Sequence, residues 1–282
     1  MHKEFPTVGL IGDSALLRMF AAPATALGVE IEKLENGRAF AHCTVISVLG
    51  DRLSDSQVRT LETSGQAIRP SSSAFEFARR WNSDHQVNVP VDATVSFLVA
   101  LSPHGQASAW APTGIYHDGS VSMTITPAPT LSANQIGIAQ HIALNLAKES
   151  GAVGVVEVEI VFAYGEPAAR RISLGPTLNG VWSIEGARTS EFEQHLRAIL
   201  DLPLGDPSQL APIAVTATFS GEGNMYRPYL HLMARNPGLK IHQYRSGPGQ
   251  IKGHVTAMGS DLLDLRECVT HAVEYMSGEI DE

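Results

Sequence analysis

Thr189-Ser-Glu-Phe-Glu-Gln-His-Leu-Arg-Ala-Ile-Leu200 carries every local signal of a helix, and it closes the most informative part of the chain, Val153 to Asp206. Ser190 followed three residues later by Glu193 reads as a capping box, in which the hydroxyl accepts from the Glu193 amide and the carboxylate reaches back to the Ser190 amide. Phe192, Leu196 and Ile199 fall on one face at helical spacing, and Asp201-Leu-Pro203 stops the helix. Upstream, Val155 to Phe162 is an apolar strand, joined by an irregular loop to Gly180-Val-Trp-Ser-Ile-Glu-Gly-Ala187.

Towards the N-terminus, Thr7 to Gly12 is a short buried-strand signal, and Ala15 to Leu27 places Leu16, Leu17, Phe20, Ala24 and Leu27 at helical spacing. Strands at Val29 to Lys33, Cys43 to Val48 and Gln66 to Pro70, with a helix at Ser54 to Ser64, make a doubly wound α/β unit. A helical segment, Ser73 to Trp81, follows. Val95 to Leu101, Ala107 to Ala111 and Ser120 to Ile125 alternate with period two between Pro103-His-Gly105 and Asp118-Gly119 turns, the pattern of an antiparallel meander. Leu131 to Ser150 is a helix with Ser132 at its N-cap and Gly151 at its stop. Beyond Asp206, Ala211 to Phe219 is a strand, Leu239 to Tyr244 and Gly253 to Met258 form a hairpin around Gly247-Pro-Gly249, and Asp261 to Met276 is a closing helix. Ser277 to Glu282 reads as a solvated end.

Composition narrows the function. Twenty basic against 29 acidic side chains give a formal charge of −9, which argues against a phosphate-backbone binder, so no nucleic-acid partner is expected. Cys43 and Cys268 are far apart in apolar contexts and read as two buried reduced thiols. The start lacks a signal-type apolar core and no run reaches the ~20 residues that span a bilayer, so the expectation is a cytoplasmic protein with no membrane partner. Eleven histidines show no paired spacing on a helix and read as scattered structural residues.

Trp182-Ser-Ile-Glu-Gly-Ala187 followed by Ser190 to Leu204 resembles the 5-(carboxyamino)imidazole ribonucleotide synthase family, the ATP-grasp enzymes of purine synthesis that use ATP and bicarbonate to carboxylate aminoimidazole ribonucleotide. Gly253-His-Val255 and Lys240-Ile-His242 with Tyr244 resemble its small C-terminal domain. The resemblance spans nearly the whole chain except one lobe. Where the family places the lysines and glycine-rich loop that hold the nucleotide, Ser83 to Pro90 lead directly into Thr94 to Leu101. The fold expected from the resemblance is an N-terminal doubly wound α/β domain at 1–82, a truncated ATP-grasp α+β domain at 83–206 and a small β-rich C-terminal domain at 207–282.

The resemblance also supplies candidate site residues. The family's glycine-rich turn reads Gly12-Asp-Ser-Ala-Leu16; Gly12 and Ser14 are the candidate cofactor contacts, and the competing reading is a plain structural turn, because side chains at Asp13 and Ser14 hinder close approach of a phosphate. The family holds Mg²⁺ with two carboxylates. Glu159 matches the first, whereas the second falls at Arg171, with Arg170 in place of an asparagine, so Glu159 is a remnant and no catalytic metal is expected. The family's following arginine, histidine, asparagine and histidine fall at Gly175, Thr177, Leu178 and Val181. Its substrate-phosphate turn keeps Pro248-Gly249 without the flanking cations, leaving Arg245 and Lys252 as substitutes or as solvated hairpin charges. Glu157 and Glu159 share a strand face, Glu159 either pointing inward as that remnant or standing at a sheet edge.

The expectation is a degenerate member that needs no cofactor and lacks ATP-dependent carboxylation. It would act as a scaffold, regulatory or partner subunit linked to purine metabolism, as a homodimer or with a catalytic relative. Two alternatives stay open: an active or repurposed enzyme on aminoimidazole ribonucleotide or a related metabolite, and a nucleotide or metabolite sensor binding through Arg245, Lys252 and Arg170 or Arg171.

Overall fold

Two sheets organise the described residues. The protein is represented by a computed structural model that describes residues 5–12, 14–34, 42–50, 53–63, 65, 67–87, 89–118, 121–220, 227–244 and 250–280. In the first sheet β1 (Thr7–Ile11) pairs in parallel with β2 (Glu30–Lys33) and β3 (Val45–Val48), and β3 with β4 (Ile68–Arg69), in the order β2-β1-β3-β4. All four residues of β3 are buried, as expected of a parallel strand covered on both faces. This is the doubly wound unit expected from the sequence.

The helix expected over Ala15 to Leu27 is broken into α1 (Ser14–Leu17), a 3₁₀ turn at Arg18–Phe20 and α2 (Ala21–Leu27). Pro23 explains the break: it has no N–H for the Met19 carbonyl and its ring crowds that oxygen. Gly28, at φ 66°, closes α2 in the left-handed conformation. Helices α3 (Asp55–Thr63) and α4 (Ser72–Asp84) complete this unit.

The second sheet has nine strands, ordered β10-β9-β5-β7-β8-β11-β13-β12 with β6 on β5. Its strands are β5 (Ala93–Leu101), β6 (Ala107–Ala109), β7 (Thr113–Asp118), β8 (Val121–Thr126), β9 (Gly154–Ala163), β10 (Glu166–Leu174), β11 (Ile213–Phe219), β12 (Lys240–Gln243) and β13 (Gly253–Gly259), and its pairings are antiparallel. The helices among them are α5 (Ala133–Glu149), α6 (Ser183–Gly186), α7 (Glu191–Ile199), α8 (Arg227–Arg235) and α9 (Leu262–Ser277). The structure thus shows the expected mixed α/β architecture.

Further elements differ from the sequence reading. The irregular loop after β9 is an ordered strand, β10, at the sheet's end; its Pro167 and exposed Glu166, Ala168, Arg170 and Arg171 hide it, because an edge strand tolerates proline and a solvated face. Strand β7 and helix α8 are also additional; Gly114 interrupts the β signal of one, and Pro228 sits in the first turn of the other, where its missing N–H is harmless. At α7 the Ser190 hydroxyl does accept from the Glu193 amide at 3.2 Å, but the Glu193 carboxylate turns to Arg197 at 2.6 and 2.9 Å. The reciprocal box closes instead at Ser132 and Gln135 of α5.

The apolar face of α7 joins the two sheets. Phe192, Leu196 and Ile199 pack with Val8, Leu10, Phe20 and Leu49 of the first unit, and Phe20 meets Phe192 edge-on with ring centres 5.1 Å apart. Cys43 is buried and unpaired as expected, whereas Cys268 is only half-buried.

Candidate functional site

Alternation along β9 sends Glu157 and Glu159 to the same face, and both line a cavity of about 360 Å³ together with Leu49, Arg171, Thr177 and Asn179. Glu157 is almost wholly buried. One of its oxygens accepts from Ser96 Oγ and from Asn179 Nδ2, each at 2.6 Å. Burial raises its pKa, the two hydrogen bonds work against that rise, and the neighbouring Glu159 adds to it. Glu159 is only partly exposed and forms an ion pair with Arg170.

The pairing of β9 with β10 explains that contact. Arg171 lies opposite Glu159 and Ala169 opposite Ile160, so Arg170 is the extra residue of a bulge. The bulge re-aims the Arg170 guanidinium onto Glu159. Glu159, Arg170 and Arg171 also border a second, shallower space with Asn82.

From β10 the chain enters Gly175 to Val181, and the replaced positions are tightly held. Gly175 has φ 95°, a backbone conformation that strains any side chain, and a Cβ there would stand 3.0 Å from the tip of Leu49. Val181 is fully buried and Leu178 packs beside it in the cluster around Phe192. Thr177 donates its amide to Glu191 Oε2 at 3.1 Å.

Glu191, which backs the cavity wall through Thr177, is a buried carboxyl that the sequence reading missed. It opens α7 yet has no exposed surface, and its Oε1 has no hydrogen-bond partner. Burial raises its pKa well above the carboxylate range, partly opposed by the Thr177 amide and reinforced by Glu157. An acidic residue at a helix start is normally a solvated charge complementing the dipole, so no local signal marked it.

The remaining candidates separate. Gly12 abuts Leu49, where a Cβ would approach Leu49 Cβ to 2.8 Å, and this close packing accounts for the glycine without a ligand. Ser14 opens α1. Lys252 has its amide on the Phe219 carbonyl and its carbonyl on the Tyr244 amide and is not among the residues that line the cavity. Arg245 and the Pro248-Gly249 turn lie outside the described residues. Among the described residues no helix is long and apolar enough to cross a membrane.

Residues 75–192 match the model of the ATP-grasp domain. The chain is 37% identical over 223 residues to the N5-carboxyaminoimidazole ribonucleotide synthase of Mycobacterium tuberculosis H37Rv, covering 74% of this chain and 52% of that protein. It is 34% identical over 195 residues to the protein of that name from Corynebacterium ammoniagenes, covering 64% and 47%. The chain belongs to the N5-carboxyaminoimidazole ribonucleotide synthase family. The matches span about half the length of these relatives. The fold agrees: the N5-carboxyaminoimidazole ribonucleotide synthetase of Thermus thermophilus superposes with a TM-score of 0.82 at 20% identity, over 98% of this chain and 99% of that one.

Against that family background the carboxylate arrangement does not fit Mg²⁺. A hard cation of this kind needs several oxygen ligands in near-octahedral array, whereas Glu159 is paired with Arg170, Arg171 stands opposite it, and the hydrogen-bonded oxygen of Glu157 is taken by Ser96 and Asn179.

Proposed function

We propose that this family member does not perform ATP-dependent carboxylation and works instead as a regulatory, scaffold or partner subunit linked to purine metabolism. The observation that carries the reading is the Glu159–Arg170 ion pair with Arg171 in register opposite Glu159. Phosphoryl transfer depends on positioning and on cations clamped by carboxylates, and these arginines place fixed positive charge where the clamp would need ligands. The passage from α4 to β5 supports the same reading, since only residues 85–92 connect them where the resemblance implies a nucleotide-holding lobe. On this reading the protein needs neither ATP nor Mg²⁺ and acts in the cytoplasm, as a homodimer or beside a catalytic relative.

The test is ADP release by the full chain supplied with ATP, Mg²⁺, bicarbonate and aminoimidazole ribonucleotide, with an intact family member as the positive control. The expected result is a rate equal to the protein-free blank; release that depends on both aminoimidazole ribonucleotide and bicarbonate sinks the proposal.

A second reading, a metabolite sensor, is favoured by the cavity of about 360 Å³, which presents Arg171 and the polar Ser173, Thr177 and Asn179 beside Glu157 and Glu159. Thermal-shift titration with purine-pathway intermediates tests it, because a ligand at a hundred times its dissociation constant adds about 2.7 kcal/mol of stability. No shift with any of them removes this reading.

A further inference from the structure

Away from that cavity, α6 and the edge of the second sheet bring together three ligating side chains. His242 of β12 and His254 of β13 face each other across the antiparallel ladder, their rings stacked with centres 4.6 Å apart. Glu185 of α6 reaches them, with its Oε1 2.7 Å from His242 Nε2. One nitrogen from each histidine and one oxygen of Glu185 lie within 4.8 Å of one another.

The hydrogen bonding of this cluster is incomplete. His254 has no exposed surface and its Nε2 has no partner; the second oxygen of Glu185 is likewise buried and unpartnered. Buried polar atoms in folded proteins are nearly always satisfied, so two orphans in one three-residue cluster mark a place for a group that the chain does not supply. His254 Nδ1 lies 2.5 Å from the Tyr244 hydroxyl. With the proton on Nδ1 and donated to that oxygen, Nε2 presents its lone pair, the arrangement by which an outer hydrogen bond orients a metal-bound histidine.

We propose that Glu185, His242 and His254 bind a first-row divalent transition metal, with zinc as the reference ion and water in the fourth position. Two imidazoles and one carboxylate select such an ion over Mg²⁺ or Ca²⁺, which prefer all-oxygen shells. Ligand atoms around tetrahedral zinc stand roughly 3.3 Å apart, from metal–nitrogen distances of about 2.0–2.1 Å. His242, whose side chain keeps 28% of its surface exposed, is the member with room to turn inward. The bound ion would fasten α6 to the last two strands of the sheet. This site shares no residue with the cavity, so the proposal stands apart from the reading of carboxylation.

A rival must be separated in the test: Glu32, His42 and Cys43 form another possible ligand group on the first sheet. The full chain, stripped with chelator, is dialysed against Zn²⁺ and its metal content measured, then loaded with Co²⁺ for absorption spectra. The expected result is one zinc per chain in wild type and in Cys43→Ser, with affinity at least about tenfold weaker in Glu185→Gln and in His242→Gln. Substoichiometric zinc, unchanged binding in both variants, or loss in Cys43→Ser overturns the proposal. Should either variant fail to fold by circular dichroism, the wild-type cobalt spectrum decides: ligand-field bands without thiolate charge transfer support the site, and thiolate charge transfer or no ligand-field bands overturns it.

Discussion

Glu191 couples its titration to stability more sharply than its position at the start of a helix suggests. Its carboxyl is fully buried and its pKa is raised well above 4.5. Between pH 4.5 and that raised value the folded state holds a proton that the unfolded chain has released, so the unfolded state binds fewer protons and stability falls as pH rises. Glu191→Gln supplies a neutral side chain of the same size. Urea denaturation at pH 5 and pH 8 is expected to show the variant gaining on wild type at the higher pH; an equal difference at both values would show that folding does not raise the Glu191 pKa. Glu157, whose charge reinforces the rise at Glu191, remains in both proteins.

On the scale of the element, α7 depends on one half of the capping pattern. The Ser190 hydroxyl takes the Glu193 amide, whereas the Glu193 carboxylate holds Arg197 one turn on. Ser190→Ala is therefore expected to lose about 1 kcal/mol. Glu193→Gln should lose only about 0.3–0.5 kcal/mol, the value of a partly exposed pair of this spacing. Equilibrium unfolding of the two variants checks the ratio, and equal losses would mean that the box is closed in solution. Strand β10 teaches the same lesson in a different form. Its fold was illegible because Glu166 to Arg171 carries no apolar alternation, and its partner β9 supplies the register that turns Arg170 and Arg171 towards Glu159.

Across the whole molecule, His195 ties together parts distant in sequence. Its Nδ1 accepts from the Val155 amide of β9 at 3.1 Å, which leaves Nε2 to donate to Ser47 Oγ of β3 at 2.8 Å. Gly154 makes room for the ring, since a Cβ there would lie 2.7 Å from it. Burial lowers the His195 pKa from 6.5 to about 3. Between those values the unfolded chain binds a proton that the folded protein refuses, so stability rises with pH across the window and is lost on acidification, by up to about 1.4 kcal/mol per pH unit. His195→Gln is expected to be less stable at pH 7 but to lose less than wild type between pH 6.5 and pH 5, as read from urea midpoints; a parallel acid limb would assign the loss to other groups.

The sequence by itself determined the parallel N-terminal unit, the antiparallel meander and the α7 helix with its apolar face, because strand and helix periods and end signals are local properties of the chain; the family was legible only through the resemblance carried by Trp182 to Leu204. It also placed Glu159 and Arg170 in the same neighbourhood through the family resemblance. Tertiary structure decided what those residues do. The bulge in β10 sets Arg170 on Glu159, the packing of α7 buries Glu191, and the ladder between β12 and β13 stacks His242 on His254 beside Glu185. Each depends on a register or a burial that arises only when segments far apart in sequence meet, and no spacing along the chain encodes it.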